Sequence, residues 1–404
     1  MSPQDFLTDL SFDFLSVNPA ESRYEMKSLF YSAALLLIFF EVANVFFIMP
    51  MPGSQKMESI GIAYFLYSKR WIIRSILILI ALVGVIRAWK NTKWLVIFLL
   101  LAYAGVLYLT HFKMAADTMF YQPRHLHFLK ADSNVVSPDR LIIGVTHNGE
   151  AKAYPIQYLG YHHQVQDTIG GKPVMVTYCT VCRTGRVFEP KVNGQFEKFR
   201  LVGMDHYNAM FEDHTTKSWW RQATGEAIAG PLAGNKLPEV PSIQSSLETW
   251  LDLYPGSLIM QADSNFSEIY DGLSDYESGQ RLGRLTRRDT ASWQDKSWIA
   301  GIDLGEVSKA YDWNELISKG VINDSLASTP VSIVVARDQK SLFAFRRHSN
   351  EQLLSFRNDT LTDGRIDYIL SGIAMDTAAK ALRIIPVYQE YWHSWRTFHP
   401  NTLQ

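Results

Sequence analysis

The most restrictive feature of the chain is an apolar run at residues 29–49, "LFYSAALLLIFFEVANVFFIM". It is long enough to cross a hydrocarbon layer of ~30 Å as a helix. Backbone groups in lipid must hydrogen-bond within their own segment, which confines such a run to a helix. Two more runs follow at 71–89 and 94–112, flanked by Trp, Lys and Arg, residues that settle at membrane interfaces. The spacing predicts a polar tail over 1–28 without a cleavable signal, then an integral membrane anchor of about three transmembrane helices over 29–112. The connector "RAWKNTK" carries Arg87, Lys90 and Lys93. The positive-inside rule assigns it to the cytoplasm, although Lys69 and Arg70 oppose that assignment. An inner-membrane protein with its C-terminal part on the extracytoplasmic side is the expectation. Glu41, Asn44 and Arg74 fall inside the apolar runs, where polar groups face other helices or a cavity.

Beyond a linker at 113–140 the pattern changes to short alternating runs such as "RLIIGVTH", "KPVMVTYC" and "PVSIVVA", which read as strands. Fewer stretches read as helix, among them "SLETWLDLY" and "VYQEYWHSWRTF". A shift of 157 residues superposes 144–200 on 301–357 without a gap, and 13 of the 57 positions are identical. "KAY" recurs at 152–154 and 309–311, and Trp250, Pro255 and Leu258 find counterparts in Trp395, Pro400 and Leu403. The expected fold is therefore a set of N-terminal transmembrane α-helices followed by a β-rich α+β domain of two pseudo-symmetric repeats. These occupy 141–260 and 298–404, with an insertion at 261–297. The period is too long for a solenoid. With 39 basic and 40 acidic residues the chain has no excess of positive charge, which argues against nucleic acid as a partner.

The only two cysteines stand as Cys179-Thr-Val-Cys182 after a strand-like run. In the second copy they become Ala336 and Gln339, so the strand and turn form without them and a purely structural role is disfavoured. A disulfide closing so short a loop would remove only about 2 kcal/mol of chain entropy. "RTGRVFEP" follows, a turn into another strand, where a redox motif of the thioredoxin kind would open a helix. The pattern predicts a hairpin presenting two sulfurs to one soft metal ion, copper or zinc. The remaining ligands would come from histidine, with His162 and His393 as candidates. Both are copy-specific. No nucleotide-binding loop, nucleophile elbow or zinc-protease helix is present, so no nucleotide cofactor is expected and no catalytic residue is assigned.

"DTIGGKPVMVTYCTVCRTG", "SWWRQATGEAIAGPLAG" and "YWHSWRTFHPNT" resemble a bacterial family known as domain of unknown function 3179, over roughly residues 120–404. That resemblance implies a domain without an assigned activity. Its members often carry Pro after the first cysteine and Gly after the second, where this chain has Thr180 and Arg183. Three functions stay open at this point: a metal-binding protein or metalloenzyme, an envelope thiol–disulfide oxidoreductase, and a module that binds a small molecule or protein around a structural cysteine pair.

Overall fold

The computed structural model describes residues 19–404 except Leu282, Asn358 and Asp359, with side chains from Glu25 onward. Of the expected tail, residues 1–18 lie outside the described residues. The described residues form two compact units, one of residues 19–47 and 61–114 and one of residues 48–60 and 115–404.

The first unit holds helix α1 (Pro19–Phe46) and helix α2 (Ile60–Tyr108). The three expected spans fall on these two helices, because hydrogen bonding continues from the second span to the third through a break at Thr92 (φ −148°, ψ 59°). Both helices are long and apolar enough to cross a membrane. Only 17% of the most apolar window of the second is buried, and large apolar side chains such as Phe39, Trp71, Trp94 and Leu101 are exposed. A core helix of a soluble protein would bury them. At Gly84 an added Cβ would stand 2.2 Å from the Met26 carbonyl oxygen, so the missing side chain lets the two backbones approach closely. Glu41 is fully buried and takes a two-pronged bond from Arg74, Nε and Nη2 each at 2.7 Å. His111 Nε2 lies 2.7 Å from Arg74 Nη2. The same nitrogen lies 3.3 Å from Glu41 Oε2, so the three side chains form one polar cluster.

The second unit is β-rich, with a nine-stranded sheet and several smaller ones. Residues 48–60, between the two helices, belong to it: Met204 N–H donates to the Ile48 carbonyl (2.8 Å), and Tyr207 N–H donates to Gln55 Oε1 (3.1 Å). The order strand, strand, helix, strand, strand occurs twice. It runs from Leu141–His147 through the helix Ile156–His162 to Lys172–Cys179, then from Trp298–Asp303 through the helix Trp313–Lys319 to Thr329–Val335. Each series is followed by a hairpin partner, Thr184–Phe188 or Leu342–Arg346, and ends in a strand and helix, Ile243–Ser246 with Leu247–Leu253 or Tyr388–Tyr391 with Trp392–Phe398.

The same side-chain devices hold both series. Asp167 receives Lys152 Nζ (2.9 Å) and Tyr154 Oη (2.7 Å), and Asp324 receives Lys309 Nζ (2.9 Å) and Tyr311 Oη (2.9 Å). Trp250 Nε1 donates to Ser257 and Trp395 Nε1 to Thr402, both at 2.8 Å. Each indole lies flat on a strand glycine: a Cβ on Gly144 or on Gly301 would stand 2.3 Å from the ring.

That contact yields a prediction. Gly144→Ala and Gly301→Ala are each expected to destabilise the domain by about 1–3 kcal/mol through overpacking. Gly256→Ala, with open space around it, should change stability by less than about 0.5 kcal/mol. Thermal unfolding of the three variants in detergent checks this.

Candidate functional site: a buried dithiol hairpin

Cys179 ends the strand Lys172–Cys179 and pairs with Thr184 at the start of the strand Thr184–Phe188, leaving residues 180–183 as the hairpin loop. No helix opens after Cys182, as the sequence predicts, so no helix dipole acts on the thiols. Both cysteines are free and fully buried, and they stand 4.1 Å apart. That is about twice the ~2.05 Å of a disulfide bond. Arg183 adopts a left-handed conformation (φ 58°), which explains why glycine suits this position. Arginine tolerates it here because its side chain is fixed: Nε donates to Gln389 Oε1 (2.9 Å) and Nη2 to the Glu277 carbonyl (3.1 Å).

A loop tip is usually solvated, but this one is enclosed, and its carbonyls find partners from distant parts of the chain. Thr180 O accepts from Tyr276 Oη (3.0 Å), Val181 O from Lys296 Nζ (2.6 Å) and Cys182 O from Tyr391 N–H (3.0 Å). Tyr276 and Lys296 come from the expected insertion and Tyr391 from the last strand. Cys179 Sγ donates to the Tyr207 carbonyl (3.5 Å). Tyr207 and His206 are consecutive non-glycine residues with positive φ (68° and 49°), a conformation that costs on the order of 1 kcal/mol or more each.

The two thiols differ. Burial pushes Cys179 up, but the Cys182 thiol and the backbone N–H groups of Cys182, Ala209 and Val181 outweigh it and bring the group below the ordinary thiol value. Burial and the neighbouring Cys179 push Cys182 well up, opposed by Lys296 and by a hydrogen bond with Ser394. Burial draws Lys296 down to about 8, against the attraction of both sulfurs. His393 is pushed down to about 3, first by burial and then by repulsion from Lys296. It is therefore a neutral imidazole.

The two candidate histidines differ in availability. His162 is buried with both ring nitrogens occupied, Nδ1 by the Tyr121 carbonyl and Nε2 by Tyr270 Oη (2.6 Å). His393 sits on the cysteine side: its ring packs 6.0 Å from that of Tyr207, whose carbonyl accepts from Cys179. His393 Nδ1 donates to the Asp295 carbonyl (2.9 Å), while Nε2 is buried without a hydrogen-bond partner. Among the described residues, no group of three or more His, Cys, Asp or Glu is gathered as a metal site. Lys296, Tyr207, Tyr276 and Ser394 were not legible as site residues, since their proximity depends on tertiary packing and no local motif marks them.

Comparison with curated proteins and with solved structures gives no match. A family model described as a protein of unknown function (DUF3179) matches residues 122–402, a span that contains the cysteine hairpin, the connecting segment over its tip and the final strand and helix. The chain belongs to this DUF3179 family.

Proposed function

We propose that the protein is a membrane-anchored, duplicated domain that holds one soft metal ion between Cys179 and Cys182, copper(I) in preference to zinc. The observation that carries this reading is the pair of free, fully buried thiols 4.1 Å apart at a dehydrated hairpin tip. At a metal–sulfur distance of about 2.3 Å, two thiolates stand ~3.8 Å apart across a tetrahedral ion and ~4.6 Å across a linear one. The observed spacing lies between. Zinc requires four ligands, whereas a low-coordinate copper(I) ion is satisfied by two soft sulfurs and at most one imidazole. His393, neutral and with Nε2 unpaired, is the candidate for that third donor, although it is not gathered with the two cysteines in this structure and would have to move toward them; His162 has no free ring nitrogen. Two thiolates and one monovalent cation leave a single negative charge, which Lys296 offsets.

Duplication is supported by the two element series and their shared Gly–Trp and Lys–Asp–Tyr contacts. Three membrane crossings are supported by the break at Thr92 between two apolar arms and by the membership of residues 48–60 in the domain unit. Arg87, Lys90 and Lys93 gather around the break at Thr92, which marks one membrane face. By the positive-inside rule that face is cytoplasmic and the domain extracytoplasmic.

Protein purified in detergent without chelator is expected to carry about one equivalent of copper by elemental analysis. Cys179→Ser/Cys182→Ser should carry none. His393→Ala should retain copper but lose it roughly 10–100-fold more readily to a competing chelator. Wild-type protein that neither carries copper nor takes up copper(I) added under reducing conditions would rule the reading out.

The unequal thiols favour a second reading, thiol–disulfide exchange. Cys179 would attack a substrate disulfide and Cys182 would displace the mixed disulfide, leaving Cys179–Cys182 oxidised and the substrate reduced. This requires the sulfurs to close by about 2 Å, a larger movement than metal binding needs. If exchange is the function, iodoacetamide should modify Cys179 well before Cys182 in metal-free protein, and a model disulfide should oxidise the pair within minutes. Equal, slow labelling of both thiols and no oxidation would exclude it.

A further inference from the structure

Trp298 opens the strand Trp298–Asp303 and carries two guanidinium groups against its indole ring, Arg183 Cζ at 3.8 Å and Arg288 Cζ at 4.1 Å from the centroid. Among the described residues these arginines donate to neutral oxygens: Gln389 Oε1 and the Glu277 carbonyl for Arg183, Asn314 Oδ1 for Arg288. Arg183 is 1% exposed. Glu277 acts on Arg183 and Asp312 on Arg288 from beyond hydrogen-bond distance, so the leftover guanidinium donors still lack an acceptor that also carries charge.

The hydrogen-bond inventory defines what that charge must accept. Among the described residues Arg183 Nη1 and Arg288 Nε are buried donors without partners, and Trp298 Nε1 has none apart from an approach to the Tyr391 hydroxyl. The two carboxylates nearest to these arginines each commit one oxygen elsewhere. Glu277 Oε2 accepts from Leu141 N–H (2.9 Å) and faces Arg140 (4.0 Å), while Asp312 Oδ1 caps the helix Trp313–Lys319 through Glu315 N–H (2.9 Å). Their second oxygens, Glu277 Oε1 and Asp312 Oδ2, are unpaired as well, so ordered water is the competing occupant. The approach to the niche is basic: "RLGRLTRRD" at 281–289 has four arginines to one aspartate, with Arg284 and Arg287 exposed and Arg288 half-buried.

We propose that the niche formed by Arg183, Arg288 and Trp298 binds an oxyanion, a phosphate or carboxylate group. Guanidinium and indole N–H groups are donors only, and an oxyanion offers several acceptor lone pairs with a compensating charge. The arginine-rich rim raises the local concentration of anions. Arg183 follows Cys182 directly, so the anion lies beside the hairpin tip. The site does not depend on what the thiols hold.

The test is thermal unfolding of the full chain in non-ionic detergent, with sodium phosphate and with sodium acetate, each compared with sodium chloride at equal ionic strength. The expected result is a saturable rise in Tm of about 3 °C with phosphate, acetate or both. It should be absent in Arg288→Leu and diminished in Trp298→Phe, which keeps the ring but removes the donor. A rise with acetate alone keeps the site and assigns it to carboxylates; a rise with phosphate alone assigns it to phosphate groups. No rise over chloride with either anion, or an equal rise in Arg288→Leu, overturns the proposal and leaves water in the niche.

Discussion

The domain is organised around the requirement to satisfy the backbone of a buried loop. Connections normally run over the surface because an enclosed loop carries polar groups that have lost water. Each unpaired carbonyl costs ~1–3 kcal/mol, and the tip at 180–182 presents three. Tyr276, Lys296 and Tyr391 meet them one each. That requirement explains why the segment before Trp298 is folded over the hairpin, and why the last strand lies beside the strand Thr184–Phe188. Arg186 reinforces the second junction. It is buried, donates to Glu390 Oε1 (2.8 Å) and stacks on the Tyr388 ring, while Tyr388 Oη reaches Glu239 (2.6 Å).

Each closing strand pairs with the first strand of its own series, Ile243–Ser246 with Leu141–His147 and Tyr388–Tyr391 with Trp298–Asp303, and also reaches the other series. The strand Ile243–Ser246 of the first half meets Leu342–Arg346 of the second through Gln244 and Leu342. There Ser246 and Thr249 donate to Asp338, at 2.7 and 3.0 Å, so a carboxylate closes that tip. In the reciprocal junction Ser394, the counterpart of Thr249, reaches Cys182. Where one half uses a carboxylate and hydroxyls to finish a turn, the other uses two thiols and a lysine. A turn that needed only closure has an economical solution in the first form, and the second form points to a task beyond closure.

Much of this was legible in the chain, to a depth set by locality. Strand alternation and turn residues located the hairpin, and the absence of a helix after Cys182 followed from Gly185 and Pro190. The 157-residue offset coincides with an element order that occurs twice, as matched apolar and aromatic positions favour the same local geometry. Which residues surround the thiols was not legible. Lys296 lies more than a hundred positions from Cys182 and carries no motif, and His162 resembles His393 until their hydrogen bonds are seen. Glu41 and Arg74 could be marked as anomalous within apolar runs, but their pairing depends on the antiparallel approach of α1 and α2 at Gly84. A fully buried carboxylate is tolerated in that setting only because the guanidinium meets both of its oxygens.

Charge around the hairpin tip gives a consistent account of its two faces. Three cations crowd the region, Arg183, Arg288 and Lys296, and none is paired with a carboxylate side chain through a hydrogen bond. Lys296 faces the sulfurs, and its partner is whatever negative charge the thiol pair carries. The arginines stack on Trp298, and Glu277 and Asp312 act on them only from beyond hydrogen-bond distance. A domain needing only a stable fold would replace such groups with apolar residues of similar size, often at no loss of stability. Keeping three buried or half-buried cations around one four-residue loop makes sense when negative charge arrives from outside. In the proposed reading that charge is a metal-holding thiolate pair on one face and an oxyanion, drawn in past Arg284 and Arg287, on the other.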